Sequence, residues 1–391
     1  MNTLEVKLNA LRAELAHRKV RIMIIGLGSV GNYLLDYLMS SRDEELELCV
    51  VGRNREKLES DVNIVRVASL IRSQNRSCVQ IIDGVDLNDV DQIAETIESW
   101  RPDIIVNSSR AYPGLKYGSI SWKNIRAYGL WTPLAMKYTR NIMEGYAAAG
   151  SNAIVINTSY SDAVIPWLRS AQKLYPDFGS GNINHLIPRI QFAVAEKLQI
   201  EDYWNVDVTF AVAHFHDVVI SKEGQTEGVD MLIDIRYQGK KADAALEDVF
   251  AGCCIPMPVD AKRNMMNASS NFAIIQGILS AVRQGSKVKL HCPGVFGEIG
   301  GYPVLIDGSA PALTASIDES CFSLDEMRRK NCESIYLDGI EDISNGTLVF
   351  TDELLAKVDK AFGVSLMKKV PFDQMGEAAA FIIREIIEKN I

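Results

Sequence analysis

Histidine is scarce in this chain, with five copies in 391 residues, so acid/base chemistry near neutral pH must draw on very few side chains. Long apolar runs are missing too. No stretch reaches the roughly 18 consecutive apolar residues of a membrane-spanning helix, which excludes a membrane partner. Met1 to Lys19 mixes Leu and Ala with Glu, Lys and Arg and lacks the apolar centre of a signal peptide, so an amphipathic surface helix is expected there. Basic charge is in deficit, with 41 Lys and Arg against 50 Asp and Glu for a net charge of −9. A phosphate backbone needs a basic face, so nucleic acid is excluded as the main partner. The seven cysteines are odd in number and lack C-x-x-C spacing, which argues against a disulfide framework and a zinc site and predicts reduced thiols in a cytoplasmic protein. Internal repeats and low-complexity linkers are absent as well.

What remains is an ordinary globular composition, 47% hydrophobic and 23% charged, on a chain long enough for about two to three domains. Its most informative segment is Arg21 to Gly31, R-I-M-I-I-G-L-G-S-V-G, where an apolar strand runs into a G-x-G-x-x-G turn. In a dinucleotide-binding turn Gly26 permits the tight bend, Gly28 lets a pyrophosphate approach bare backbone, and Gly31 lets the next helix sit close to the strand. Ser29, Val30 and the apolar spacing from Asn32 onward predict that helix, whose N-terminus aims N–H groups at the phosphates. Leu46 to Gly52 reads as the second strand. An NAD site usually has an acidic residue at its end, whereas here Gly52 is followed by Arg53, Asn54 and Arg55, so NADP is favoured with NAD possible.

The alternation continues through a strand at Val79–Asp83, a helix at Val90–Trp100, and strands at Asp103–Asn107 and Ser151–Asn157, predicting a doubly wound parallel (Rossmann) sheet in a domain of residues 1–159. Asn107, Ser108, Ser109, Asn157 and Thr158 fall at strand ends, where such sheets bind ligands, and Asp83 or Asp86 could face an adenine. Beyond this the pattern changes. Strands at Val206–Ala213, Met231–Tyr237 and from Lys287, a helix at Asn264–Val282, a capping box at Ser323–Glu326 and an amphipathic helix from Phe372 predict an α+β substrate and oligomerisation domain over 160–391.

Two histidines stand out in Ala213-His-Phe-His-Asp217. Read as an extended segment, His214 and His216 share one face, with Asp217 on the other. Either imidazole could exchange a proton with a carbinol oxygen. Arg110, just past a strand end, and Arg189, ahead of a helix, are candidate clamps for a substrate carboxylate.

The order of these landmarks from Arg21 to Leu305 resembles the lactate/malate dehydrogenase superfamily. G-L-G-S-V-G is similar to its cofactor loop and S-R-A-Y-P-G to its mobile substrate loop, which implies that Arg110 meets substrate. I-V-I-N-T-S is similar to the strand whose asparagine, here Asn157, lies near the nicotinamide. G-S-G-N-I-N-H-L-I-P-R is similar to the segment of the carboxylate-binding arginine, here Arg189, and H-F-H-D to that of the catalytic histidine. The resemblance implies a hydride transfer between nicotinamide and a carbonyl or carbinol carbon of a small, anionic substrate, in a homodimer or higher homo-oligomer. The chain departs from the family where it matters. Counting three residues back from Arg189 to the expected aspartate gives Leu186, so no histidine–aspartate pair can be copied across, and a distant acid must substitute or the chemistry must differ. Val79–Asn107 is also similar to saccharopine-dehydrogenase-like reductases. A saccharopine- or opine-like imine reductase and a non-catalytic NAD(P)-sensing protein are the alternatives.

Overall fold

A computed structural model describes residues 3–41, 43, 45–73, 78–181, 183–258 and 260–390. Its centre is a six-stranded parallel sheet formed by β1 (Val20–Ile25), β2 (Leu46–Val51), β3 (Cys78–Ile82), β4 (Ile104–Asn107), β5 (Ile154–Asn157) and β6 (Phe178–Gly179), in the order β3-β2-β1-β4-β5-β6. The order reverses between β1 and β4, whose registers pair Ile25 with Asn107. A doubly wound sheet opens its ligand crevice at that switch point, outside the carboxyl ends of the strands.

Both faces of the sheet are covered, which is why its strands read as continuous apolar runs. Alternate β1 residues face opposite ways. Ile22 and Ile24 pack with the helices Ser29–Ser40 and Asn264–Gln284 and the strand Gly301–Asp307, whereas Met23 and Ile25 pack with the helix Thr132–Ala148, the strand Thr347–Phe350 and the C-terminal helices. The N-terminal helix, Leu4–Glu14, is partly interior, because Leu4, Leu8 and Leu11 enter the first core and Lys7 is buried on Asp177 at 2.7 Å.

The α+β half contains three-stranded antiparallel sheets, among them Lys287–Pro293 with Gly301–Asp307 and Thr314–Ile317, and Val206–Ala211 with Leu232–Tyr237 and Lys240–Lys241. Segments after residue 159 supply β6 and much of the cover on both faces, so the parallel sheet extends past the expected end of the first domain. No helix among the described residues is long and apolar enough to cross a membrane.

Candidate active site

The glycine turn folds as its residue types dictate. Gly26 has φ +89°, in the left-handed region, and an added Cβ would lie 2.8 Å from the Ser109 Cα. At Gly31 a Cβ would come within 2.5 Å of the Gly26 carbonyl oxygen, so only glycine lets the helix Ser29–Ser40 start this close to β1. Ser108 Oγ donates to that same carbonyl at 2.6 Å, tying the ends of β1 and β4 together. Gly28, the residue before the helix, has nothing within 4 Å of its Cβ position. The turn is therefore packed underneath and bare on its outer side, the shape a pyrophosphate needs against helical N–H groups. The residues present fit a dinucleotide.

A cleft of about 1090 Å3 runs from this turn across the strand ends. Gly26, Gly28, Ser29 and Val30 line it, as do Gly52, Arg53 and Asn54 beyond β2 and Ser108, Ser109 and Arg110 beyond β4. Arg55 is not in its wall; it pairs instead with Glu59 and Asp83, at 2.7 and 3.0 Å. Asp86 is engaged with Asn88, and Val85 and Leu87 line that part of the cleft. Arg110 lies near the Tyr117 hydroxyl, to which its Nη1 donates at 3.2 Å.

At the other end the cleft reaches His214, and here the structure supplies what the sequence pattern lacked. His214 Nδ1 lies 3.1 Å from Asp338 Oδ2. Asp338 is fully buried and also accepts from the Tyr160 hydroxyl at 2.7 Å and the Tyr128 backbone N–H at 2.6 Å. Its carboxylate is thus oriented by three donors and fixes the imidazole, which stands nearly perpendicular to the Tyr128 and Tyr160 rings. Tyr160 holds a left-handed backbone, φ 45°, at the start of the helix Ser161–Ser170, a conformation rare for a bulky residue and found here beside the site. Burial lowers the pKa of His214, but the hydrogen bond and charge of Asp338, with Asp162 and Asp217, outweigh it and leave the net value raised.

The segment bearing His214 is helical, which corrects its reading as a strand end. The strand stops at Ala211 and a helix runs from His214 to Glu223, its first N–H donating to Asp162 Oδ1 at 3.0 Å. On a helix the neighbours of His214 are three and four residues on, so Asp217 joins it in the cleft wall and His216 turns away. His216 is buried against Ser334 Oγ and the Val229 carbonyl, at 2.6 and 2.8 Å. Burial raises the Asp162 and Asp217 carboxyls to about 6 and about 7.

Gly31, packed beneath the turn, lies outside the cleft wall, and so do three more of the expected site residues. Arg189 is 3% exposed and its Nη1 donates to the Cys253 carbonyl at 2.8 Å. Asn157 and Asn107 bond to each other at 3.0 Å beneath the strand ends, where Asn157 also bonds Thr139, Ser159 and Ser161. Position explains this: both are the last residues of buried strands, and their side chains stitch the loops that form the cleft floor. In place of Arg189 the cleft has Arg263, from the turn preceding the helix Asn264–Gln284, close enough to act electrostatically on Asp217, His185 and Tyr128. Tyr160 and Asp162 follow directly on the β5 strand end and could have been found by the strand-end rule. Asp338 and Arg263 give no local signal. Among the described residues no group of His, Cys, Asp and Glu could hold a metal ion.

No protein-family model and no curated protein sequence matches the chain. Solved structures do resemble it. The lactate dehydrogenase of Eimeria maxima, in a structure with NADH and oxamate, has TM-score 0.51 at 13% identity, covering 82% of this chain and 92% of that one. Cryptosporidium parvum malate dehydrogenase has TM-score 0.50 at 13% identity, covering 82% of this chain and 98% of that one. The likeness is one of fold: the chain has the lactate/malate dehydrogenase-like Rossmann architecture.

Proposed function

We propose that the protein is a nicotinamide-dinucleotide-dependent oxidoreductase that interconverts a carbonyl and a carbinol carbon on a small anionic substrate. One observation carries this: the bare glycine turn and the His214–Asp338 pair open into the same cleft. Residues 1–159 would supply most of the dinucleotide half and 160–391 most of the substrate half. When bound, the nicotinamide supplies or accepts the hydride at C4. The chain's own residues do the rest. His214 Nε2 gives a proton to the oxygen of a carbonyl being reduced and takes it back in the reverse direction, while Asp338 holds the ring and offsets the charge of the imidazolium. Arg110 and Arg263 draw the anionic end of the substrate into the cleft. The His214–Asp338 contact supports catalysis over a purely sensing role.

The similar fold of an NADH-bound enzyme supports a nicotinamide cofactor. Arg53, with no ion-pair partner among the described residues, supports a preference for NADP. The seven free thiols support a reducing compartment such as the cytoplasm. Exposed Ile64, Val67 and Ile71 on one face of the helix Arg55–Ser73 are what a homo-oligomeric contact would cover. The test is oxidation of NADPH and NADH by small 2-keto carboxylates. Turnover is expected, falling about 100-fold or more in His214→Asn. Failure of both cofactors to bind would defeat the reading.

A further inference from the structure

The helix His214–Glu223 turns more than its histidine toward the cleft. Asp217 and Ser221 line it too, at three- and four-residue steps along one helical face. From the helix Ile183–Leu198, His185 lines the same cleft. Asp217 is 4% exposed, yet its Oδ1 has no hydrogen-bond partner among the described residues, and neither has Ser221 Oγ or His185 Nε2. Folded proteins satisfy nearly all such buried atoms, so three unsatisfied ones around one cavity call for a ligand.

Their chemistry says which kind. Burial lowers the His185 pKa to about 3, so its ring is neutral. Nε2 is the nitrogen without a partner, and the tautomer with its proton on Nδ1 makes Nε2 an acceptor. Ser221 offers an acceptor oxygen and Asp217 a carboxyl, raised by burial, that an adjoining cation would hold ionised. Three acceptors and one negative charge complement an ammonium group, which has three N–H donors and one positive charge. A hydroxyl has a single donor to offer. A carboxylate has none to offer these acceptors.

We propose that the corner formed by Asp217, Ser221 and His185 is a subsite for an amino group, and that the substrate is therefore an amino-bearing carboxylate. This rests on the oxidoreductase reading of the cleft. In this arrangement the ammonium meets Asp217 beside His214, in competition with Arg263, which acts on the same carboxyl, and the substrate carboxylate lies toward Arg110.

The test uses the full chain saturated with NAD+ or NADP+ and compares matched pairs of hydroxy acids with and without the amino group: L-threonine against 3-hydroxybutyrate, L-serine against 3-hydroxypropionate, and L-homoserine against 4-hydroxybutyrate. The readout is the melting temperature at equal millimolar concentration, together with reduction of the cofactor. At least one amino compound should raise the melting temperature where its deaminated partner does not. The shift should vanish in Asp217→Asn, shrink in Ser221→Ala and persist in the exposed control Asp243→Asn. Deaminated compounds that bind as well as their amino partners would overturn the proposal. So would a panel in which no amino compound exceeds its partner, or an Asp217→Asn protein that keeps the difference. If the cofactor itself fails to raise the melting temperature, the oxidoreductase reading falls, and that result is separate from the amine comparison.

Discussion

Replacing Asp217 by Asn should make the ligand-free protein more stable above neutral pH and no more stable below pH 5. Asp217 is buried in the helix His214–Glu223, and burial raises its carboxyl from 3.8 to about 7 against the opposing pull of His214, Arg189 and Arg263. A carboxyl whose folded pKa lies above its unfolded value binds more protons in the native state throughout the interval between them. Stability is therefore lost as pH rises from about 4 to about 7, the reverse of an ordinary ion-paired aspartate. A shift of about three units at roughly 1.4 kcal/mol each gives about 4 kcal/mol of destabilisation above pH 8. Asparagine carries no charge but introduces an amide that must find a partner in the same place, which costs about 1–3 kcal/mol. The variant should thus gain about 1–3 kcal/mol at pH 8 and lie within about 1 kcal/mol of the parent at pH 5, where about 2 kcal/mol of the carboxylate's penalty is already present. Calorimetric melting of both proteins across that range measures the difference directly, at roughly 2 °C per kcal/mol for a chain of this size. A gap that stays constant from pH 5 to pH 8, or that closes as pH rises, would refute the assignment of a buried, charge-starved carboxyl at this position.

Gly28→Ala and Gly31→Ala should separate binding from folding. The first places a methyl in open space and should leave the melting temperature nearly unchanged while weakening cofactor affinity, measured by fluorescence titration; the second drives a methyl to 2.5 Å from a backbone carbonyl and should destabilise the fold. Asp338→Asn should lower turnover by about 100-fold or more, shift the histidine limb of the pH–rate profile to lower pH, and add little further loss when combined with His214→Asn. Arg53→Ala should reduce any preference for NADPH over NADH by about tenfold, the effect of about 1.4 kcal/mol from one charge-assisted contact, with NADH kinetics unchanged. Lys7→Met strands the buried Asp177 carboxylate and should cost about 3–5 kcal/mol in unfolding experiments.

The parts of the molecule legible in the sequence are those whose causes are local. The helix Val90–Trp100 starts on the Asp89 cap, the box Ser323–Glu326 starts the helix Leu324–Leu337, and the glycine turn follows from steric limits within a few residues. The histidine segment misled because the alternation of the strand Val206–Ala211 was carried past its end. The helix signals were present, with Asp217 in the first turn and Gly224, φ 66°, at the end, and they change which side chains share a face. Asp338 is a different matter. It stands 124 residues from His214 in the chain, at the end of the helix Leu324–Leu337, and reaches the imidazole only because the strands Ile340–Ser344 and Thr347–Phe350 pack under the same face of the parallel sheet as Met23 and Ile25. A proton-transfer pair is defined by a hydrogen bond between an imidazole and an oriented acid, and nothing in that requirement fixes the spacing along the chain. Leu186 in the expected position therefore says only that this acid does not come from the helix Ile183–Leu198. The donors that orient Asp338 make the same point, because Tyr128, Tyr160 and His214 come from three separate segments. A carboxylate gripped from three directions is held against rotation better than one presented by a single loop. If His214 is the acid/base, its activity should then depend on the packing of the Tyr160 ring as well as on Asp338 itself. Tyr160→Phe, which keeps the ring and removes one donor, should reduce turnover by less than Asp338→Asn does.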